Sequence, residues 1–451
     1  MSTTKSFIYA VPLVLLLATA VFELGLSKWV DKLPVSLYAS SSVLMAVAAG
    51  ALLVSKRAKT IYPHSLRPHR AVVGGIAFYW LASWIGCFYG PVQGAIAMAI
   101  FTVNIVQLWI AMLLLERFPA RLQQKIVFLA GLLSLSVMLS LGGISFINGS
   151  PIALSSGTRE GYAATPYADY NTYTYGLILS SMLVLSSARF GREMSARFVV
   201  AMLGLCAVLC GFGLVSGSRR TLTIVVPFLL LYLGVTILKR GLIKGGGAIL
   251  VSIMMVLVVG FVFINGNTFD RFANRMELDF VDMLKVKAWR ATGVFTGEYG
   301  SGSERTERWA TALDVYKDYN FGEMLYGRGT RSFYEDPQIN PTAGERDHPH
   351  NWALSALLEG GVLKLGLLGG VVATIYGRVF FGRRYCYGVA GRYAIVSLLA
   401  LWFVYASISG VEFFASRHLL VTLFLFFCLS NWTVIQSRSR ILEEGTQSSQ
   451  I

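Results

Sequence analysis

Charged residues are scarce in this chain. Of its 451 residues, 14% are Asp, Glu, Lys or Arg, against roughly 25% in an average soluble domain. The five cysteines lie in or beside apolar runs, and no Cys/His spacing resembles a zinc site. The sequence also lacks a glycine-rich phosphate loop, an HExxH helix and a nucleophile elbow. These absences argue against a soluble or disulfide-stabilised domain, and we expect neither a metal nor another cofactor.

Long apolar runs take the place of the missing charge. Hydrophobic residues make up 55% of the chain, and a membrane-spanning helix needs about 20 of them in succession. The sequence predicts an all-α, polytopic membrane helix bundle of about 12 transmembrane helices, the first retained rather than cleaved as a signal peptide. The spans are expected at 7–26, 37–54, 72–88, 92–115, 126–147, 173–188, 198–215, 222–238, 247–264, 363–381, 393–411 and 418–435.

Basic residues recur in every second loop, within a formal net charge of +15. The positive-inside rule assigns these loops, and both chain ends, to the cytoplasm. The positive charge is therefore a topology signal, and we expect membrane lipids rather than nucleic acid as partners. The pattern is carried by Lys56, Arg57, Lys59, Arg67, Arg70, Arg117, Arg121, Lys125, Arg189, Arg192, Arg197, Lys239, Arg240, Lys244, Arg383, Arg384, Arg392, Arg438 and Arg440.

One outer loop is far longer than the others. It holds more than half of the acidic residues and a helix-forming stretch at 309–319, so we expect it to fold over the bundle rather than remain unstructured. The predicted organisation is transmembrane helices 1 to 9 over 1–264, a partly helical outer loop domain over 265–351, a re-entrant helix and transmembrane helices 10 to 12 over 352–435, and a cytoplasmic tail over 436–451.

Two groups of arginines lie on the outer side, where the positive-inside rule disfavours them. Arg219 and Arg220 occupy a very short loop between two apolar helices, and Arg305 and Arg308 precede Trp309 in the long loop. The planar guanidinium donates two parallel hydrogen bonds to phosphate, which makes both groups candidate anion sites. The alternatives are snorkelling to lipid headgroups for the first group and a solvated amphipathic helix for the second.

Two of the five histidines lie next to a predicted return into the membrane. Pro349 favours a helix start there, which puts His350 in the first turn, and the pair Gly360 and Gly361 stops or kinks that helix. A helix N-terminus disfavours a protonated ring, and a neutral imidazole can act as a general base. The alternative is a structural histidine at the membrane interface, and His348 lies before the proline in extended chain.

At these residues the chain resembles the O-antigen ligase family, which includes the related O-antigen polymerases. The twelve helices and the one long loop before the tenth also fit that family. Arg220 stands where the family usually has a small residue. Either Arg219 or Arg220 could therefore be the arginine that corresponds to the family's functional one. The similar motifs are Gly217-Ser218-Arg219, Arg305 with Trp309, Tyr326-Gly327-Arg328-Gly329, and His350-Asn351 followed by Leu354, Glu359 and Gly361.

The resemblance implies a metal-independent, inverting glycosyltransferase in the bacterial inner membrane, with its site on the periplasmic face. The donor would be a glycan on undecaprenyl diphosphate, and the acceptor a sugar hydroxyl of lipid A–core. Catalytic roles then fall on His350, Arg219 and Arg305, and substrate-binding roles on Arg220, Arg308, His348, Asn351 and Arg159.

Two other functions compete with the ligase. A polymerase would use the same motifs to join lipid-linked repeat units, and the doubled Arg219-Arg220 and the Tyr170-Asn171 stretch point that way. A transporter of lipid-linked sugars would place charges near helix midpoints, whereas nearly all charges here lie at helix ends or in loops. Lys364 is the nearest exception, at the outer edge of its helix.

Overall fold

The computed structural model of the protein describes residues 3–22, 37–54, 63–148, 176–184, 301–339, 351–381 and 420–432. All regular structure within these ranges is helical, which confirms the predicted all-α class. The predicted count of about 12 spans and the outer position of the long loop involve other residues and stay predictions. The chain divides into two compact units, one built from Met1–Leu44, Phe118–Thr292 and Gly388–Ser397, the other from Met45–Arg117, Gly293–Tyr387 and Leu398–Ile451.

The helices follow the apolar runs closely. The runs at 37–54 and 92–115 are helices with those bounds, and three further helices lie within a few residues of prediction. In chain order the helices are α1 (Thr3–Phe22), α2 (Leu37–Val54), α3 (Arg70–Cys87), α4 (Val92–Leu115), α5 (Ala120–Asn148), α6 (Ser301–Lys317), α7 (Phe321–Tyr326), α8 (Trp352–Phe381) and α9 (Leu420–Trp432), with short 3-10 turns at His64–His69 and Ser332–Tyr334.

Membrane-length helices are present among the described residues. Four are long and apolar enough to cross a bilayer: His64–Cys87, Val92–Leu115, Ala120–Ser140 and Trp352–Ile375. A helix satisfies its own backbone hydrogen bonds, which a segment in the hydrocarbon core requires because no water is present there. The described part of the chain therefore has the character of an integral membrane protein.

The first unit is held together by close packing of small residues. α1 packs against α5, and so does the helical segment 176–184. A Cβ at Gly131 would lie 2.6 Å from the Cβ of Leu183, so the glycine permits the approach. The hydroxyls of Ser134 and Ser180 are 2.7 Å apart and buried. Small residues and buried hydroxyl pairs are the usual means by which helices associate in lipid.

The second unit contains α3, α4, α6, α7, α8 and α9. α3 packs along α8, where a Cβ at Gly75 would lie 2.6 Å from Val371 Cγ2. α3 also packs on α4, and the indoles of Trp80 and Trp84 both donate to the hydroxyl of Thr102, at 2.9 Å and 3.1 Å. These contacts form the helical base on which the long-loop segment 301–339 rests.

α8 is broken near its start, as the glycine pair predicts. Gly360 has φ −137° and ψ 16°, and Gly361 has φ +61° and ψ −161°, so neither is helical. The segment predicted as a re-entrant helix thus continues into the predicted tenth span across a kink. The break interrupts the hydrogen-bond ladder, which leaves backbone carbonyls before it without their usual partners.

Replacing Gly361 with alanine should destabilise the protein. The conformation of Gly361 is almost restricted to glycine and would cost about 1–3 kcal/mol in another residue. The new Cβ would also lie 2.4 Å from the carbonyl carbon and oxygen of Leu325. We expect a clearly lower thermal denaturation midpoint for detergent-solubilised Gly361→Ala protein.

The matched control is Gly366→Ala in the same helix, where a Cβ meets no atom within 4 Å. Its midpoint should equal that of the parent or exceed it. Equal losses in the two variants would contradict this account of the break.

Candidate active site

The N-terminus of α8 is fixed by Asn351. Its side-chain Oδ1 accepts the backbone N–H groups of Ala353 and Leu354, at 2.9 Å and 3.3 Å. Its backbone carbonyl accepts the hydroxyl of Ser355 at 3.0 Å. This is helix N-capping, in which a side-chain oxygen satisfies donors that the first turn leaves open. The helix begins at Trp352, and His350, which precedes the cap in the sequence, lies outside the described residues.

The helix predicted in the long loop is present as α6 and carries Arg305 and Arg308 in its first half. Arg305 is seven residues before Ala312, close to two full turns, so both Cα atoms lie on the same side of α6. Arg308 is half-buried. The indole N–H of Trp309 is buried and has no hydrogen-bond partner among the described residues. The arginine-bearing end of α6 is therefore continuous with a face that packs inward.

A small hydrophobic cluster joins α6 to the first turns of α8. Ala312, Val315, Tyr319, Phe333 and Leu358 are each at most 5% exposed and pack together. The phenol of Tyr319 donates to the carbonyl of Leu358 at 3.1 Å, and burial raises the pKa of this phenol well above its ordinary value. The phenol therefore remains a donor at any physiological pH. α6 is thus held against α8 between the cap and the break.

Residues 327–331, which we call the glycine turn, fill the break in α8. The backbone N–H groups of Arg328 and Gly329 donate to the carbonyls of Leu358 and Glu359, at 3.1 Å and 2.9 Å. These carbonyls precede the two non-helical glycines. Gly327 has φ +73°, and a Cβ there would lie 2.3 Å from Gly360 N. The motif similar to the family's Gly-x-Gly therefore supplies the hydrogen bonds that the broken helix lacks.

The other side of the glycine turn rests on the junction between α3 and α4. The N–H of Thr330 donates to the carbonyl of Gly86 at 3.2 Å, and its hydroxyl donates to the carbonyl of Ser83 at 2.8 Å. A Cβ at Gly90 or Gly94 would collide with the backbone of Thr330, at 3.0 Å and 2.3 Å from its carbonyl oxygen. The turn thus fits between the broken helix α8 and the α3–α4 junction without room for larger residues.

Arg328, the charged residue of the glycine turn, is engaged within the loop. Its Nε lies 3.0 Å from Glu323 Oε1, its Nη1 lies 3.5 Å from Asp336 Oδ2, and its guanidinium lies 4.2 Å from the centre of the Tyr319 ring. The hydrogen bond from Arg328, followed by one from the Asn320 backbone, lowers the pKa of Glu323. Arg328 is therefore a structural residue of the loop.

A buried ion pair spans the break in α8, and the sequence analysis did not predict it. Lys364 Nζ is 2.5 Å from Glu359 Oε2, and both side chains are 4% exposed. The second carboxylate oxygen of Glu359 accepts the backbone N–H of Arg331 at 3.0 Å. The signal in the sequence was a glutamate and a lysine five residues apart in an apolar run, a spacing that does not pair in a regular helix.

Only some of the predicted site residues lie in the described part of the chain. Asn351, Arg308 and the helical position of Arg305 are in the structure, all in the second unit. Arg159, Arg219, Arg220, His348 and His350 lie outside the described residues, so their roles stay predictions. Among the described residues no group of three or more His, Cys, Asp or Glu side chains is placed to hold a metal ion.

Membrane-length helices, with a loop helix docked on a broken one, define the class as a polytopic membrane protein. Within that class, residues 205–369 match the sequence model of the O-antigen ligase family, which confirms the resemblance drawn from the motifs. Members of this family are membrane glycosyltransferase-like enzymes, ligases or polymerases, and the family implies lipid-linked glycan substrates in general. No curated protein matches the chain.

Asn351→Ala should weaken the start of α8. Loss of a capping side chain typically costs about 1 kcal/mol, and here the cap directly follows His350. We expect a lower thermal midpoint for Asn351→Ala, whereas Asn351→Asp, which keeps an acceptor oxygen, should stay near the parent. A midpoint for Asn351→Ala at or above that of Asn351→Asp would show that the cap contributes nothing.

Proposed function

We propose that the protein is an O-antigen ligase-like glycosyltransferase. It transfers a glycan from undecaprenyl diphosphate to a sugar hydroxyl of lipid A–core, with inversion and without a metal, on the periplasmic face of the bacterial inner membrane. The observation that supports this most is the packing of α6 against the first turns of α8. That packing joins the helix of Arg305 and Arg308 to the helix that begins two residues after His350.

The arginines bind and stabilise the leaving group. When the anomeric C–O bond breaks, its electron pair goes to the diphosphate oxygen, and negative charge develops there. Arg305, with Arg308 beside it, and either Arg219 or Arg220 hold that charge through paired hydrogen bonds. Arg328 pairs with Glu323 inside the glycine-turn region and serves the loop structure. Arg159 contributes to the sugar or lipid site.

His350 is the general base. Its neutral imidazole accepts the proton of the acceptor hydroxyl while that oxygen forms the new bond to the anomeric carbon, which inverts the anomeric configuration. The products are the glycosylated acceptor and undecaprenyl diphosphate. His348 and Asn351 bind substrate beside it. In Asn351 the side-chain oxygen already caps α8, so its amide nitrogen is the group for substrate.

An O-antigen polymerase is the second candidate, favoured by the doubled Arg219-Arg220 and by Tyr170-Asn171. Deleting the gene and separating the lipopolysaccharide on a gel distinguishes the two functions. We expect loss of all attached O-antigen, with accumulation of lipid-linked polymer. A single attached repeat unit would identify a polymerase, and unchanged lipopolysaccharide would contradict both.

His350→Ala should remove most of the transfer activity, because a positioned base contributes about 10²- to 10⁴-fold in rate. His348→Ala is the matched variant and should retain far more activity. Parent activity should fall as the pH drops through the imidazole's range, because a protonated ring cannot accept the hydroxyl proton. The assay uses purified protein, a lipid-linked donor and an acceptor glycan.

Near-normal turnover by His350→Ala would remove the general base from the mechanism. Catalysis would then rest on stabilisation of the diphosphate by the arginines alone.

Arg305→Ala should abolish transfer while the protein remains in the membrane at the parent level. Arg305→Lys should also be poor, since an ammonium group cannot make the bidentate contact to a diphosphate. The control on the same helix is Lys317→Ala, whose side chain is exposed and pairs with Asp314, at 2.7 Å, three residues before it. Full activity of Arg305→Lys would show that fork geometry at this position is not used.

A further inference from the structure

The buried ion pair of Glu359 and Lys364 is energetically unfavourable in an apolar helix unless its geometry is good. The free energy lost by removing two charges from water is offset only where their contacts are close and their remaining hydrogen-bonding capacity is used. Both side chains are 4% exposed, and their charged atoms are 2.5 Å apart. Ionisable residues at membrane depth are rare and usually have a functional reason. The position of this pair at the break in α8 therefore indicates a specific role for it.

The pair exists because the helix is broken. In a regular helix, residues five apart point about 140° away from each other. Here the non-helical backbone of Gly360 and Gly361 turns the chain between them. Lys364 then folds back over the break, and a Cβ at Gly360 would lie 2.4 Å from the Cβ of Lys364. The side chain of Lys364 thus occupies the space that a side chain at position 360 would need, so only glycine fits there.

Glu359 links this pair to the long loop. One carboxylate oxygen binds Lys364, and the other accepts the backbone N–H of Arg331 at 3.0 Å. Arg331 has φ +64°, a conformation that is unfavourable for a side-chain-bearing residue and needs support from its surroundings. The carboxylate therefore holds the last residue of the glycine turn, while the carbonyls of Leu358 and Glu359 hold Arg328 and Gly329.

Docking of the glycine turn in turn sets the place of α6. The turn follows α6 and α7 in the chain, and Tyr319, just past the end of α6, also bonds to the Leu358 carbonyl. A second tether runs through Thr330 to the α3–α4 junction. If the turn left the break, α6 would lose part of its attachment to α8, and the arginines at 305 and 308 would no longer be held at one distance from the start of α8.

We propose that Glu359 and Lys364 are positioning residues. Together they form a clasp that keeps the glycine turn in the break of α8 and so fixes the arginines of α6 relative to the segment ending at His350. The lysine holds one carboxylate oxygen of Glu359, so that the other oxygen stays directed at the backbone N–H of Arg331. The catalytic consequence rests on the proposed glycosyl transfer, whereas the clasp itself does not.

Three variants distinguish the loss of this ion pair from a general loss of protein stability. Glu359→Gln keeps an oxygen for the Arg331 N–H but leaves the lysine without its carboxylate, and Lys364→Met leaves the carboxylate without its cation. The double variant Glu359→Gln/Lys364→Met removes both charges and keeps the acceptor. The matched control is Lys317→Met, which breaks the exposed pair with Asp314 in the same unit.

Cys87 lies half-buried at the junction where the turn is seated, and we expect its labelling to become faster when the turn leaves. Cys87 follows Gly86, whose carbonyl accepts the Thr330 N–H, and its own thiol donates to the Ser83 carbonyl that also binds the Thr330 hydroxyl. With Cys206, Cys210, Cys386 and Cys428 changed to serine, labelling of full-length protein by a charged maleimide measures opening at this junction. Labelling rate scales with the open population.

We expect each single variant to label at least about tenfold faster than the parent, since a buried charge that loses its closest counterion strongly favours opening. The double variant should return to within about threefold of the parent, because the neutral amide still accepts the Arg331 N–H. The turnover number should follow the same order, with a smaller change in KM for the lipid-linked donor. Lys317→Met should leave both readouts unchanged.

Equal labelling in all variants would overturn the clasp, as would a double variant that stays as open as the singles. Faster labelling with unchanged turnover would overturn the positioning role while the glycosyl transfer stands. Lack of transfer by the parent protein would overturn the proposed function instead, and the Cys87 labelling ratios would still decide the clasp.

Discussion

The hydrogen bonds between the glycine turn and the broken helix α8 are the constraint on which the described structure depends. A helix that crosses a membrane normally satisfies its own backbone, and a break leaves carbonyls that no lipid can bind. Here the carbonyls of Leu358 and Glu359 are bound by N–H groups of the turn and by the Tyr319 phenol. The loop segment is therefore part of the membrane fold and not an appendage to it.

That arrangement places the proposed catalytic residues beside structural ones in the same motifs. Gly327, Glu359 and Gly361 make the docking possible through their backbone geometry and one carboxylate. The same docking holds α6, and with it Arg305, against the helix that starts after His350. A short run of sequence thus carries a proposed base, a helix cap, a break and the anchor for a distant arginine, because all four must stay in register along one helix.

Local patterns in the sequence predicted local structure well. Apolar length alone gave the bounds of α2 and α4, and two adjacent glycines predicted the kink. Pro349 indicated a helix start close by, and the helix begins at Trp352 because Asn351, a strong capping residue, holds its first turn. The partner of the break, and the pairing of Glu359 with Lys364, could not be read from spacing because both arise from contacts between distant or non-helical residues. The predicted Arg219, Arg220, Arg159, His348 and His350 lie outside the described part of the chain.

The seat of the glycine turn at the α3–α4 junction bears on how such proteins can diverge. Gly86, Gly90 and Gly94 leave room for the backbone of residues 329 and 330 and for nothing bulkier. Two stretches more than two hundred residues apart are therefore shaped to each other. A chimaera that imported only 301–339 from a homologue would contain a turn whose backbone does not fit the α3–α4 junction of the host chain. Specificity engineered by loop exchange would have to carry the 83–94 segment along, so the unit of exchange is a pair of segments and not the loop alone.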